Sequence, residues 1–307
     1  SPISVNGKEF HGKIALRTSN GKMNVVNRVE IQDYLKGVVP SEMPAGNPND
    51  FEALKAQAIT ARTYVLKNLG KYKDLGIDVW ATVQDQVYKG ISGEAKLSNK
   101  AVEETATLVL TSSSKIAITY FSSTCGGKTE DNSEVWSGVQ EPYLNGITDS
   151  FGGDFFCKES PHYRWTEEFS REELEQMFTQ NLGKNYGQLY NIKILKRTNS
   201  GRISHLQLIF KDGIADIKNP NKIRNALKRN GKILRSAFFK ADLELDSKNW
   251  IQKVTLTGAG NGHGVGMCQW GAMGMSRKGY TYDKILTHYY KGTEIIPFTK
   301  ANLVSMR

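Results

Sequence analysis

Residues 164–251 differ in pattern from the sequence on both sides of them, and this difference most limits how the chain can fold. The stretch reads as a helix, several strands, a second helix and a final strand pair, whereas the flanking sequence is rich in glycine breaks. Between Gln188 and Lys240 it holds thirteen Lys and Arg against two Asp, a net charge of +11; the whole chain carries +10, so the rest of it is about neutral. We therefore predict an inserted basic α+β domain of residues 164–251 within a discontinuous domain of residues 1–163 plus 252–307. The predicted fold class is α+β, with mixed helices, antiparallel sheets and a cleft between the domains.

The most regular helical pattern covers residues 51–69. A start signal, Asn47–Asp50, precedes it, apolar residues recur every three or four positions, and Gly70 ends it. This spacing predicts one long helix with a buried face.

Weaker patterns predict shorter elements around it. Pro40 and Pro44 predict irregular backbone near Glu42, because proline lacks an N–H and restricts the residue before it. The predicted elements are a short helix over 29–38, a helix from 99 to about 109, a strand over 115–123, a helix capped by Ser170, strands over 190–198 and 203–210, and a helix around 221–228.

Composition excludes some classes of protein. Hydrophobic residues make up 39% and charged residues 23%, which excludes a disordered chain. No apolar run approaches the roughly 20 residues of a membrane span. The sequence starts at Ser1 rather than Met, so we expect that an N-terminal targeting or anchoring segment has been removed.

The concentrated positive charge predicts an anionic partner, or else a solvated basic face that only aids solubility. Nucleic acid, anionic lipid and anionic cell-wall polymer are the candidates. No helix-turn-helix, zinc-ligand array or aromatic RNA-binding motif is recognisable in the sequence. We therefore predict no nucleic-acid partner.

Glu42 is a candidate general acid. It lies between Pro40 and Pro44 in an apolar segment, and a carboxyl in such surroundings loses hydration, so that its acid form persists toward neutral pH. Two structural alternatives stay open, because the same carboxylate could cap the helix that starts at Phe51 or pair with Arg62.

A second candidate site is the glycine-rich run around His263. Glycine occupies every second position from 258 to 266, which permits close approach to a ligand. The spacing fits neither a nucleotide-binding P-loop nor a dinucleotide fingerprint. The alternative is a tight turn that leads into a helix, with His263 hydrogen-bonded inside.

Three cysteines are too few for a disulfide scaffold. Cys125 has no evident activating base. Cys157 and His162 have a spacing that a metal could use, but only three ligands are visible there, and structural zinc sites need four. We favour a disulfide between Cys125 and Cys157 in an oxidising compartment, with Cys268 packed in a helix beside Trp270.

Three stretches together resemble the SpoIID family, the stage II sporulation protein D and its amidase-enhancer relatives. The resemblance covers nearly the whole chain. The stretches are GVVPSEMP at 37–44 followed by ALKAQAITARTY at 53–64, FSSTCGGKTE at 121–130 with EVW at 134–136 and PYL at 142–144, and GHGVGMCQWGAMGM at 262–275.

The resemblance implies a peptidoglycan lytic transglycosylase that acts on glycan strands already stripped of stem peptides. It places the catalytic acid at Glu42, which protonates the oxygen between MurNAc and GlcNAc and then, as a base, assists closure of the 1,6-anhydro ring. It further implies residues that line the substrate cleft, namely Gln57, Arg62, Gln86, Tyr88, Ser123, Gly127, Thr129, His263 and Gln269.

The resemblance also implies the setting of the protein. We expect peptidoglycan glycan strands, a cell-wall amidase and a membrane anchor protein as partners. We expect an extracytoplasmic location, in the cell envelope or the intermembrane space of a sporulating cell. Some family members carry a His/Cys metal cluster just before the Gln-x-Tyr stretch; residues 79–88 here hold neither Cys nor His, so we predict no metal there and no cofactor.

Overall fold

The computed structural model describes residues 2–19, 21–136, 138–299 and 306. The chain divides into two compact units, of which the first contains residues 1–120 with 272–307 and the second residues 121–271. Both combine helices with predominantly antiparallel strands, so the predicted α+β class is confirmed. The predicted cleft between domains stays a prediction.

The first unit begins with two hairpins and continues with three helices. Helix α2 confirms the long predicted helix, although it ends two residues earlier than its apolar pattern. The elements are β1 (Ile3–Val5), β2 (Lys8–Phe10), β3 (Lys13–Ser19), β4 (Lys22–Arg28), α1 (Ile31–Glu42), α2 (Phe51–Lys67), α3 (Lys96–Glu104), β5 (Leu108–Ser112) and β6 (Lys115–Ile116).

Helix α1 is longer than predicted and includes Pro40 in its last turn. A proline inside a helix removes one hydrogen bond and costs about 3 kcal/mol. Leu35, Val38 and Val39 are fully buried, and each such side chain contributes about 1.5–3 kcal/mol on burial. Burial of this face therefore outweighs the local preference of proline, and the predicted irregular segment is helical as far as Glu42.

Two further predictions for this region are corrected. Residues Leu108–Ser112, partly assigned to a helix from 99 to about 109, form β5, which pairs with the strand Glu294–Pro297. The predicted strand over 115–123 is interrupted: only Lys115–Ile116 and Phe121–Ser122 pair.

The second unit is built on two three-stranded antiparallel sheets, ordered β10-β15-β14 and β11-β12-β13. Its elements are β7 (Phe121–Ser122), α4 (Asn132–Val135), β8 (Ser150–Phe151), β9 (Asp154–Phe155), β10 (Trp165–Ser170), α5 (Arg171–Leu182), β11 (Leu189–Arg197), β12 (Ile203–Phe210), β13 (Gly213–Lys218), α6 (Pro220–Ala226), β14 (Phe239–Leu245), β15 (Ile251–Gly258) and β16 (Met267–Cys268).

Helix α5 starts where the sequence predicts. The Ser170 hydroxyl accepts the Glu173 N–H at 3.1 Å, and the Glu173 carboxylate accepts the Ser170 N–H at 2.9 Å. This reciprocal capping box satisfies two otherwise unpaired donors. The apolar face of the helix packs Leu174 and Phe178 into the core of the second unit.

The division of the chain differs from the predicted domain boundaries. Strand β15 pairs with β10 on one side and with β14 on the other. A boundary at 251/252 would separate this central strand from both neighbours. The second unit accordingly extends to residues 121 and 271, well beyond the predicted insert of residues 164–251.

Helix α7 (Gln269–Arg277) spans the division at residue 271, and α8 (Tyr282–Tyr289) and β17 (Glu294–Pro297) then complete the first unit. Strand β17 pairs with β5, so the end of the described chain contributes to the same sheet as residues before 120. Among the helices of the described ranges, none is both long enough and apolar enough to cross a bilayer.

Candidate functional site

Glu42 is the last residue of α1, and its side chain is half-buried. Its Oε1 accepts a hydrogen bond of 2.6 Å from the backbone N–H of Val87. Met43 then leaves the helix in an extended conformation, with its N–H donating to the Val39 carbonyl at 2.9 Å. A backbone amide 45 residues away in sequence therefore fixes the orientation of this carboxyl group.

The loop that supplies this amide is anchored by Asp85, whose side chain is fully covered. The carboxylate accepts from Lys71 Nζ at 2.6 Å, from the Tyr64 hydroxyl at 2.7 Å and from the Trp80 N–H at 2.9 Å. Burial alone would raise the pKa of Asp85, but these donors, Lys71 foremost, outweigh it and lower the pKa. Asp85 thus stays ionised and holds the segment that contains Val87.

Gln86 and Tyr34 form a buried pair beside Glu42. The Tyr34 hydroxyl donates to Gln86 Oε1 at 3.1 Å, and Gln86 Nε2 donates to the Ala61 carbonyl at 3.3 Å. Burial, followed by the negative charge of Glu42, raises the pKa of Tyr34, so its hydroxyl stays protonated. Gln86 is fully buried, so its side chain packs in the interior and is not accessible to a ligand in this structure.

Tyr88 lies against helix α1. Its hydroxyl donates to Asn27 Oδ1 at 3.0 Å, and its ring centroid is 5.0 Å from that of Tyr34. The approach is possible because position 37 is glycine: a Cβ there would lie 2.6 Å from Tyr88 Cε2. One side of this ring is therefore covered by the protein itself.

The two predicted cleft residues on α2 are internal. Gln57 and Arg62 are fully buried. The Arg62 guanidinium donates to the carbonyls of Leu108 at 3.1 Å and Val102 at 3.3 Å and to Gln32 Oε1 at 3.1 Å. Burial lowers the pKa of Arg62 to about 9. Arg62 thus links α2 to the chain around α3 and β5, a structural role.

The other five predicted residues, Ser123, Gly127, Thr129, His263 and Gln269, belong to the second unit. Thr129 is buried, and its hydroxyl accepts the Ile147 N–H at 2.8 Å. Gly127 has φ 114°, and a Cβ there would lie 3.0 Å from the ring of Phe155. Both residues shape backbone in this unit.

Ser123 and Gln269 lie where parallel strands β7 and β16 meet. The Ser123 carbonyl accepts the Trp270 N–H at 3.0 Å, and the Ser123 hydroxyl is 3.2 Å from that of Thr124. Ser123 is half-buried and Gln269 is buried.

His263 is held as a neutral imidazole. Its Nδ1 accepts the Val265 N–H at 3.0 Å, and its ring meets Trp136 edge-on at 4.9 Å. Burial, together with the positive charges of Arg224 and Arg202, lowers the pKa of His263 to about 3. A ring with this pKa does not exchange protons near neutral pH, so His263 suits positioning better than acid–base chemistry.

The three cysteines converge in the second unit, and all are buried free thiols. Cys125 Sγ lies 3.6 Å from Cys157 Sγ, whereas a disulfide needs about 2.05 Å. The structure thus differs from the predicted Cys125–Cys157 disulfide, and Cys268 and Asp149 lie in the same cluster as the pair. Cys268 lies in strand β16 rather than in the predicted helix.

The ten residues predicted for the substrate site fall evenly into two groups. Glu42, Gln57, Arg62, Gln86 and Tyr88 belong to the first unit, and the other five to the second. Sequence reasoning missed three groups that the structure places at these sites: the Val87 amide, Asp85 and Asp149. Of these three, only Asp85 had a signal in the sequence, because it directly precedes the Gln-x-Tyr stretch at 86–88.

Comparison with known proteins adds an independent observation. A family model described as stage II sporulation protein matches residues 19–112, and a second model, described as a domain of unknown function, matches residues 151–266. The second match lies within the second structural unit.

Three relatives span most of this chain. An uncharacterized protein of Brachyspira hyodysenteriae is 34% identical over 98% of this chain and 76% of its own length. Stage II sporulation protein D of Bacillus subtilis is 31% identical over 91% of this chain and 77% of its own. The amidase enhancer of Bacillus subtilis is 30% identical over 96% of this chain but only 45% of its own. The motifs around Glu42, the family model and these alignments agree, and the chain belongs to the SpoIID family.

Proposed function

We propose that the protein processes the bacterial cell wall as a lytic transglycosylase. It would cleave the bond between MurNAc and GlcNAc in peptide-stripped glycan strands and leave a 1,6-anhydro-MurNAc end. The observation that carries this proposal is Glu42, a half-buried carboxyl at a helix end whose Oε1 is held by the Val87 amide. Membership of the SpoIID family supports a cell-wall role.

In this proposal, the contact with Val87 distinguishes the roles of the two carboxyl oxygens of Glu42. Oε1 accepts the amide N–H, so in the acid form the proton is carried by Oε2. Oε2–H protonates the glycosidic oxygen as the bond from that oxygen to C1 of MurNAc breaks. The carboxylate then takes the proton of the MurNAc C6 hydroxyl while that oxygen bonds to C1. The acid is regenerated, and no water enters the product.

This scheme needs a single catalytic carboxyl group. Ordinary glycosidases use two, one as acid and one as nucleophile or base. Here the nucleophile is the substrate's own hydroxyl, so Glu42 performs both proton transfers in succession. The Val87 amide orients the carboxyl group, and Tyr34, which contacts both Gln86 and Tyr88, packs the neighbouring segment against helix α1.

The second unit would hold the anionic wall. Of the thirteen basic residues between Gln188 and Lys240, Arg202 and Arg224 are buried and serve the fold. Nine others are exposed, namely Lys193, Lys196, Arg197, Lys211, Lys218, Lys222, Lys228, Lys232 and Lys240. They supply a positive field for an acidic polymer. In this proposal the protein works outside the cytoplasm, beside a cell-wall amidase and a membrane anchor protein.

The test compares wild type with Glu42→Gln on peptide-stripped glycan strands. Glutamine keeps a carbonyl oxygen for the Val87 N–H but has no acidic proton. We expect release of 1,6-anhydro-MurNAc ends to fall at least about 100-fold, since one general acid contributes at least that factor. The control Glu103→Gln removes an exposed carboxylate of the same unit and should keep full activity. Equal activity of the two variants would refute the proposal.

A second candidate function is stimulation of an amidase without cleavage. The relative named amidase enhancer, which aligns with 96% of this chain, favours it. In that case purified wild type releases no anhydro ends, and Glu42→Gln stimulates an added cell-wall amidase as well as wild type does. Anhydro ends from wild type alone would exclude this alternative.

A further inference from the structure

We propose that the second unit contains a structural zinc site formed by Cys125, Cys157, Cys268 and Asp149. The three sulfur atoms and one carboxylate oxygen all lie within 4.8 Å of one another, and all four residues are buried. The site does not depend on the proposed glycan chemistry, because none of its ligands takes part in that chemistry.

The distances between the donor atoms are close to those around a tetrahedral ion. With Zn–S near 2.3 Å and Zn–O near 2.0–2.2 Å, ligand atoms at tetrahedral angles are about 3.5–3.8 Å apart. Cys125 Sγ lies 3.6 Å from Cys157 Sγ and 3.1 Å from Asp149 Oδ2. Small side-chain adjustments would place all four donors around one ion.

Backbone amides point at the sulfur atoms. Gly127 N–H donates to Cys125 Sγ at 3.4 Å, and Cys268 Sγ accepts from the N–H groups of Cys125 at 3.1 Å and Gly271 at 3.3 Å. Such donors stabilise the negative charge of thiolates and orient them, which is the outer shell expected of a metal site. A neutral thiol gains much less from them.

The charge around the cluster also suits a metal. Three thiolates and one carboxylate carry four negative charges, and a divalent cation leaves two. Arg202, only 1% exposed, donates from Nη2 to the Cys125 carbonyl at 2.9 Å and places a buried positive charge beside the site. Buried charges persist only when paired or bound to a metal.

The ligand set selects zinc and a structural role. Thiolates are soft ligands that favour zinc over magnesium or calcium, and three of them with one carboxylate complete four-coordination. No position would be left for water or substrate, which characterises structural rather than catalytic sites. The ion would tie strand β16 to three segments that lie more than 100 residues earlier, thereby stabilising the folded unit.

A disulfide is the competing interpretation. It would use only two of the three sulfur atoms and would remove the thiol proton that Cys125 donates to Asp149 Oδ2. The two interpretations differ in redox state, in metal content and in the number of free thiols, so one preparation distinguishes them.

The first experiment uses the unmodified chain, kept reduced and free of oxygen, loaded with Zn²⁺ and then freed of excess metal. We expect one zinc per chain by elemental analysis, and on exchange with Co²⁺ the thiolate charge-transfer and tetrahedral visible bands. A chelator should lower the melting temperature. Three results would each overturn the proposal. They are less than about a tenth of an equivalent of zinc per chain, an octahedral cobalt spectrum, and a protein mass two hydrogens lighter after purification without oxidant.

Variants then assign the ligands. Asp149→Asn and Cys268→Ser should each weaken zinc binding at least about 10-fold, the smallest effect usual even for outer-shell changes. Asp154→Asn, an exposed aspartate paired with Lys158 in the same region, is the matched control and should bind zinc like wild type. Unchanged affinity in Asp149→Asn would remove the carboxylate from the ligand set and refute the site as proposed.

Discussion

Gly37 tests how helix α1 and the loop of Val87 are fitted together. A Cβ at position 37 would lie 2.6 and 2.8 Å from two ring carbons of Tyr88 and 2.9 Å from the Gly90 carbonyl. Overpacking of this kind costs about 1–3 kcal/mol. Alanine would recover at most about 1 kcal/mol through its better helix propensity. Because one of the three contacts is to a backbone oxygen that cannot rotate away, we take the upper half of the overpacking range, about 2–3 kcal/mol, and expect Gly37→Ala to lower the free energy of unfolding by at least about 1 kcal/mol.

Urea denaturation followed by circular dichroism measures this loss. Gly46→Ala is the control, because a Cβ at position 46 meets no atom within 4 Å. It should be neutral or slightly stabilising. The cost of Gly37→Ala should shrink in a Tyr88→Ala background, where most of the clash is gone. A Gly37→Ala protein as stable as the Gly46→Ala protein, or a cost that is unchanged without Tyr88, would refute the packing argument.

Two further predictions concern the second unit. Because the pKa of His263 is about 3 in the folded protein and near 6.5 unfolded, the unfolded chain binds the extra proton between these values. The free energy of unfolding should therefore fall as pH drops below about 6.5, and His263 alone contributes at most about 1.4 kcal/mol per pH unit to this slope. In His263→Asn, the free energy of unfolding should depend less steeply on pH across this range. An identical slope in wild type and variant would contradict the assignment. Lys196 and Lys218 both lie opposite His205 on neighbouring strands and are exposed. Their replacement by Glu should weaken co-sedimentation with anionic cell walls most at low salt; no change at any ionic strength would exclude this surface.

Helices could be predicted from the sequence where the apolar repeat is long or where a capping motif marks the start. Helix α2 follows its apolar pattern, and α5 starts at the Ser170 cap because its capping bonds are local. The prediction ended α1 too early because of Pro40. The preference of proline against helix is a local property and does not depend on the burial of Val38 and Val39, which stabilises the helix. Such tertiary burial decides between competing local preferences.

The candidate site was predictable only in part. The motif around Glu42 drew attention to the carboxyl, but its partner is a backbone amide of Val87, which has no side-chain signature. Arg62 matches the family motif, but its guanidinium is buried and donates hydrogen bonds to backbone carbonyls inside the first unit. Asp149 joins the cysteines through a loop whose path no periodicity encodes. These contacts link segments that are distant in sequence, so they become visible only in the folded chain.

The central claim is that Glu42 carries out both proton transfers while water stays out of the product. Digestion of peptide-stripped glycan strands in water enriched in heavy oxygen tests it most directly, with mass spectrometry of the released MurNAc ends. The proposed mechanism predicts ends that lack the label and are lighter by one water than a reducing sugar, and that disappear with Glu42→Gln. Labelled, reducing ends, or unlabelled anhydro ends that persist in the variant, would contradict it.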